Sequence, residues 1–297
     1  MTVPLDQRPR SGPYSGLNVN SAKRFLMTQF REAGLDTPDL DARLLVMAAT
    51  GFSHTDMITR GTEFPRAEIF DVIADYAARR LAGEPVDHIL GKRDFYGRSF
   101  EVTKDVLSPR PETEMLVEAA LAILADKPDS QILDLGTGSG AIIISILAES
   151  ETARGTAVDI SPRALEVARR NAKAHNVESR LEFHEGSWLD PVTASFDIIL
   201  SNPPYITAAA MAELSPEVAQ FDPDLALSGG EDGLVAYRII ANGAAAHLSP
   251  GGLLLLEIGY DQGASVSGLL WAAGFTDVTV HPDLAGHDRM IKAHRPA

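Results

Sequence analysis

Two short runs carry the chemistry open to this chain. The first, Asn202-Pro203-Pro204-Tyr205, follows the strand-like run 196–201 and so stands at a strand's carboxyl end, where open α/β sheets bind their ligands. Successive prolines have fixed φ and no backbone N–H, so the turn presents rigid carbonyl acceptors beside one amide side chain and one aromatic ring. Such a set suits a planar group bearing an NH2, although Asn-Pro also begins ordinary turns. The second run, Asp134-Leu135-Gly136-Thr137-Gly138-Ser139-Gly140, leaves a strand and opens a helix. Its glycines permit tight turning and close approach of a ligand to the backbone.

The glycine spacing is G-x-G-x-G. No Gly-Lys-Ser/Thr follows, which excludes a Walker loop. A dinucleotide fingerprint would place its third glycine at Ala141, where alanine is tolerated, so spacing alone separates the two readings only in part. Asp159 ends the next strand, where an acidic side chain accepts both ribose hydroxyls of an adenosine-containing ligand. Standing before Ser161-Pro162, it also fits a helix cap. Trp188 follows the third strand, where an adenine ring can lie against it; a lone tryptophan there serves a core or rim equally well.

These residues need a sheet to hold them. Helix 112–125, strand 131–135, helix 141–149, strand 155–160 and helix 162–175 are followed by strands 181–184 and 196–201, helix 233–248, strand 252–258 and helix 262–273, a parallel-sheet rhythm. Strands 276–281 and 289–294 are separated by too few residues for a crossover helix, which predicts an antiparallel hairpin at one sheet edge. In the order 3-2-1-4-5 the first and fourth strands are neighbours whose connections leave in opposite directions. The glycine loop and the Asn-Pro-Pro-Tyr turn then flank one cleft.

Upstream, residues 21–83 are helical throughout. Phe25, Leu26 and Phe30 recur at helical steps, and Pro38 and Pro65 read as first-turn prolines opening helices 38–50 and 65–81. Residues 94–102 read as a hairpin around Tyr96-Gly97-Arg98.

With 297 residues, 45% hydrophobic and 23% charged, the chain has material for one large domain and a small one. Its formal charge of -15 argues against a broad grip on phosphate backbones, so the expected partner is a protein or a small molecule. Having no cysteine, it has no disulfide, thiolate nucleophile or Cys-ligated zinc. The eight histidines show no metal-binding spacing, and no metal is expected. There is no apolar run of membrane-spanning length and no secretory h-region near Met1, which predicts a cytoplasmic protein without a membrane partner.

The glycine loop, Asp159 and the Asn-Pro-Pro-Tyr turn together resemble S-adenosylmethionine-dependent methyltransferases that act on exocyclic or amide nitrogen, DNA adenine N6 enzymes and protein glutamine N5 enzymes among them. His88-Ile89-Leu90-Gly91, the 95–102 hairpin, Ser108-Pro109-Arg110-Pro111-Glu112-Thr113-Glu114 and residues 201–206 resemble one branch, the release-factor glutamine methyltransferases of the PrmC/HemK type. The likeness runs from near Asn20 to the C-terminus. Departures are Ser108, where that family usually has an apolar residue, and Gly186-Ser187, in place of its usual acidic residue before the tryptophan.

The resemblance implies an α/β, class I methyltransferase-like doubly wound sheet with an antiparallel terminal strand, preceded by a small helical domain and a β-hairpin linker. The implied division is a flexible leader 1–20, a helical substrate-recognition domain 21–90, a linker 91–110 and the methyltransferase domain 111–297. The implied cofactor is S-adenosyl-L-methionine, leaving as S-adenosyl-L-homocysteine, with contacts at Gly136, Thr137, Gly138, Ser139, Gly140, Asp159, Trp188 and Asn202. The substrate site is Asn202, Pro203, Pro204 and Tyr205, with Asn202, Pro203 and Tyr205 catalytic. The Asn202 oxygen and Pro203 carbonyl accept the target's two N–H bonds, and Tyr205 packs on the amide plane. The implied reaction methylates the glutamine N5 of the Gly-Gly-Gln loop in class I peptide chain release factors, supporting translation termination, without direct nucleic-acid binding. An adenine enzyme uses the same turn after base flipping, but needs a basic target-recognition region, and 26 Lys plus Arg stand here against 41 Asp plus Glu.

Overall fold

Caps and turns in the first ninety residues set the helices. Asn18 accepts the Ser21 amide at 2.8 Å and starts α1 (Val19–Glu32). Pro38 opens α2 (Pro38–Thr50), and Gly51, left-handed at φ 71°, stops it. A capping box of Ser53 and Asp56 starts α3 (His54–Thr59), and α4 (Ala67–Leu81) and α5 (Val86–Leu90) follow. A computed structural model describes residues 13–296, in two units that divide between Leu90 and Gly91.

The first unit buries Val19, Leu26, Phe30, Leu45, Val46 and Ile73 together. Arg80 on α4 donates from Nε to Asp41 Oδ2 on α2 at 2.7 Å, with both side chains 5% exposed, and Thr37 Oγ1 donates to Asp41 Oδ1 at 2.7 Å. Two details differ from expectation. Arg66 is the cap of α4, so Pro65 lies outside the helix it was predicted to open. Packing also begins before residue 20: Tyr14 is buried in this core and its hydroxyl donates to Gln29 Oε1 at 2.6 Å, giving the phenol both an apolar surround and an acceptor. The rest of the expected leader, residues 1–12, lies outside the described residues.

The second unit opens with β1 (Lys92–Phe95) and β2 (Arg98–Glu101), joined by Tyr96-Gly97 at φ 47° and 68°. A two-residue turn with both φ positive matches the twist of paired strands. Phe95 and Phe100 of this hairpin join the unit's own core. Then come α6 (Glu114–Leu124), β3 (Gln131–Leu135), α7 (Ala141–Glu149), β4 (Arg154–Asp159), α8 (Pro162–Ala174), β5 (Leu181–Glu185) and β6 (Phe196–Ser201). Three short helices, α9 (Ala208–Met211), α10 (Pro216–Phe221) and α11 (Asp224–Leu227), lead to α12 (Val235–His247), β7 (Leu248–Glu257), α13 (Gly263–Ala272), β8 (Thr276–Pro282) and β9 (Asp288–His294).

The seven strands order as β5-β4-β3-β6-β7-β9-β8, parallel except for β9, which runs against both its neighbours. This is the class I methyltransferase-like sheet expected, with the reversed strand lying one place in from the edge. Apolar residues fill both faces of the inner strands by alternation. Ile132, Ile198, Leu200, Leu253 and Leu255 face one core, and Leu133, Leu135, Ile199, Leu254 and Leu256 face the other. The parallel registers pair Leu135 with Val158 and Ser201, Ser201 with Leu256, and Asp159 with Glu185, so five carboxyl ends share one edge.

Candidate active site

At that edge the Ser201 hydroxyl donates to the Leu135 carbonyl at 2.6 Å. The glycine loop and the Asn-Pro-Pro-Tyr turn therefore leave from hydrogen-bonded neighbours, and both border a cleft of about 410 Å³. Gly136, Thr137, Gly138, Ser139, Asp159, Trp188, Asn202 and Pro204 line it. Gly140, Pro203 and Tyr205 are each next in the chain to residues that line it.

The three loop glycines all have positive φ, at 69°, 56° and 80°, but their surroundings differ. A side chain at Gly138 would meet open space and one at Gly136 only the Trp188 ring, at 3.6 Å. At Gly140 it would strike Ile144 at 2.6 Å and crowd Ala168 at 3.2 Å. Gly140 thus lets α7 and α8 approach, while the first two glycines leave bare backbone at the cleft. Trp188 itself has φ 50°, a strained conformation for an aromatic residue.

Asp159 braces the loop. Its Oδ2 accepts the Gly138 amide at 2.8 Å and its Oδ1 the Ser161 amide at 2.9 Å. The cap of α8 is Ser161, which accepts from the Ala164 amide at 3.2 Å. Burial pushes the Asp159 carboxyl above its ordinary pKa, against the pull of the amides aimed at it. Beneath the loop, Asp134 is fully buried and accepts the Thr137 hydroxyl at 2.7 Å. Burial first, and the nearby Asp159 charge as well, raise its pKa to about 7.

On the other wall, Asn202 Nδ2 donates to Thr113 Oγ1 at 3.2 Å, and Thr113 Oγ1 donates to Glu257 Oε2 at 2.6 Å. This leaves Asn202 Oδ1 as the acceptor for another partner. Glu257, the last residue of β7, is 3% exposed. Burial raises its pKa to about 7, although the Thr113 hydroxyl, the Arg289 charge and the Asn202 amide favour the ionised form. The turn's backbone is held separately: Gln262 Nε2 donates to the carbonyls of Tyr205 and Gly233, each at 3.2 Å, while its Oε1 accepts the Gly259 amide at 3.0 Å. Side chains at Gly229 or Gly233 would run into the Tyr205 backbone. Arg110 lines the cleft and donates to Asp222 Oδ2 at 3.1 Å, tying the end of α10 to the Pro-Arg-Pro run.

Two family models match the chain, the PrmC N-terminal domain over residues 22–91 and the Methyltransferase small domain over residues 112–238. The release factor glutamine methyltransferase of Cereibacter sphaeroides is 49% identical over 281 residues, spanning 95% of this chain and 100% of the relative. The chain belongs to the release factor glutamine methyltransferase family. A further release factor glutamine methyltransferase, from Neisseria gonorrhoeae, is 46% identical across 85% of this chain and 92% of its own. Among solved structures, the hMettl16 catalytic domain matches 73% of this chain and 81% of its own with a TM-score of 0.56 at 15% identity, a likeness of fold alone.

For this member of the family, sequence reasoning missed Thr113, Glu257, Gln262 and the Gly229–Gly233 stretch. Glu257 carried a usable signal: it ends the apolar run Leu253-Leu254-Leu255-Leu256, the kind of position that drew attention to Asp159. Among the described residues no helix is long and apolar enough to cross a membrane.

Proposed function

We propose that this chain transfers a methyl group from S-adenosylmethionine to the N5 amide nitrogen of the glutamine in the Gly-Gly-Gln loop of class I peptide chain release factors. The reading rests on one observation above all: the Ser201–Leu135 hydrogen bond, which starts the glycine loop and the Asn-Pro-Pro-Tyr turn side by side on one cleft. Family membership supports the substrate.

The cleft suits the cofactor. Gly136 and Gly138 leave room for a ligand against bare backbone, and the Asp159 carboxylate has lone pairs beyond the two amides it holds, enough to receive ribose hydroxyls. Thr137, Ser139 and Trp188 complete that wall, with the Trp188 ring for the adenine. When bound, S-adenosylmethionine supplies an electrophilic methyl on a sulfonium. Asn202 and Pro203 do the rest by positioning. An amide nitrogen is a poor nucleophile because its lone pair is delocalised into the carbonyl. Asn202 Oδ1 and the Pro203 carbonyl accept its two N–H bonds, aim the nitrogen, and favour the positive charge that grows on it. Pro204 and Tyr205 confine the amide plane, and the surplus proton leaves to water.

The helical unit serves substrate recognition on a second surface of the release factor. The reaction takes place in the cytoplasm and needs neither a nucleic acid nor a membrane. Incubation with methyl-labelled S-adenosylmethionine and, in parallel, a class I release factor, duplex DNA and RNA tests this. Label should enter only the release factor, on the Gly-Gly-Gln tryptic peptide. Label in a nucleic acid, or in none of the three, overturns the proposal.

A further inference from the structure

We propose that Thr113 and Glu257 are positioning residues for this transfer, acting through Asn202 to keep its amide oxygen turned toward the target nitrogen. The inference rests on the reading of Asn202 as acceptor for the target amide.

An asparagine side chain has two ends of nearly equal size and opposite hydrogen-bonding sense. Flipped, Asn202 would offer NH2 to the NH2 of the target, donor against donor, and would oppose the positive charge growing on nitrogen. Something must choose the orientation. An ionised carboxylate only accepts, so the Thr113 proton goes to Glu257 Oε2, and the Thr113 oxygen is left to accept from Asn202 Nδ2. One buried charge therefore sets the polarity of the whole chain of bonds, both through Thr113 and through its direct pull on the Asn202 amide.

Burying Glu257 is otherwise hard to rationalise. The four preceding residues of β7 are leucines, and the carboxylate has no ion pair among the described residues. A buried charge held this way is costly, and such groups cluster at functional sites. The groups around it are Arg289 on β9, Glu112 and Thr113 before α6, and Asn202 and Tyr205 after β6, while the Tyr237 hydroxyl of α12 donates to its backbone carbonyl at 2.8 Å. Once protonated, Glu257 can donate as well as accept, and the order of the chain is no longer imposed. Turnover should therefore fall on the acid side of about pH 7, where the Glu257 carboxyl titrates. Asp134 titrates in the same range, so the two must be told apart by substitution.

The test measures kcat and KM toward a release factor, and donor affinity by calorimetry, for Thr113→Val, Thr113→Ser and Glu257→Gln, alone and combined with Asn202→Ala. Thr113→Val should lower kcat by roughly 10- to 100-fold with donor affinity unchanged, while Thr113→Ser, which keeps the hydroxyl, stays within about threefold. On the Asn202→Ala background the Val and Ser variants should become equal, because their target is gone. Glu257→Gln should lose the acid limb of the kcat profile. An NMR titration of the Asn202 side-chain NH2 adds a readout independent of substrate: its signals should shift with an inflection near pH 7 in the wild type and stop shifting in Glu257→Gln. Equal kcat for Thr113→Val and Thr113→Ser, a Val penalty undiminished without Asn202, or an Asn202 signal indifferent to Glu257 each overturns the assignment. A wild-type protein that methylates no release factor refutes the proposed function instead, and the NMR titration still decides the positioning role. If Glu257→Gln does not fold, the Thr113 pair decides alone.

Discussion

Asp41 in the helical unit and Asp134 and Glu257 in the sheet unit are all nearly out of water, yet they are compensated differently. Asp41 faces the Arg80 guanidinium at 2.7 Å as well as a threonine hydroxyl. Asp134 and Glu257 each have a threonine hydroxyl, at 2.7 and 2.6 Å, and no ion pair among the described residues; burial lifts both to a pKa of about 7. The first arrangement fastens α2 to α4. The second two sit at the carboxyl edge of the sheet, beside the loops proposed to hold donor and acceptor, and keep protons that ordinary pH can remove. What separates scaffold from site here is the manner of compensation, since the depth of burial is much the same.

On that contrast, substitutions in the two units will fail in different assays. Asp41→Ala should lower stability by about 3–5 kcal/mol, read as a lower urea midpoint, with donor affinity unchanged; normal stability with lost donor binding would reverse the comparison. Asn202→Ala should leave the fold intact and lower kcat by roughly 10²- to 10³-fold, and undiminished turnover in a release-factor assay would remove the turn from catalysis. Asp159→Ala should weaken donor binding by about 1.5–3 kcal/mol, a role that wild-type affinity in calorimetry would refute. The last effect concerns pH. The folded protein holds protons on Asp134 and Glu257 up to about pH 7, whereas the unfolded chain releases them near the ordinary 3.8 and 4.5. The folded state binds more protons in this window, so stability should fall as pH rises through it, and Glu257→Gln should flatten the fall. A wild-type urea midpoint constant across the window would place both acids with Asp41.

Much of the sheet was legible because apolar runs and glycine or proline punctuation act locally: runs 131–135 and 196–201 coincide with β3 and β6. The glycine loop and the Asn-Pro-Pro-Tyr turn were legible for the same reason, and the switch between β3 and β6 followed from topology. α9, α10 and α11 were not, since four to six residues are too few to show a helical period. Gly140 reads like its neighbours in the loop, and only the approach of Ile144 and Ala168 reveals its separate duty. Thr113 and Glu257 stand 144 residues apart. No local pattern announces such a partnership; it exists only once β7 has been laid beside β6.

The placement of β9 between β7 and β8 bears on how the protein is made. A ribosome delivers β7 and β8 before the strand that separates them, so both present open ladders until residues 288–294 emerge. Exposed ladders invite pairing with other chains. The sheet thus completes itself by late insertion, its last synthesised strand closing the gap between two that are already made.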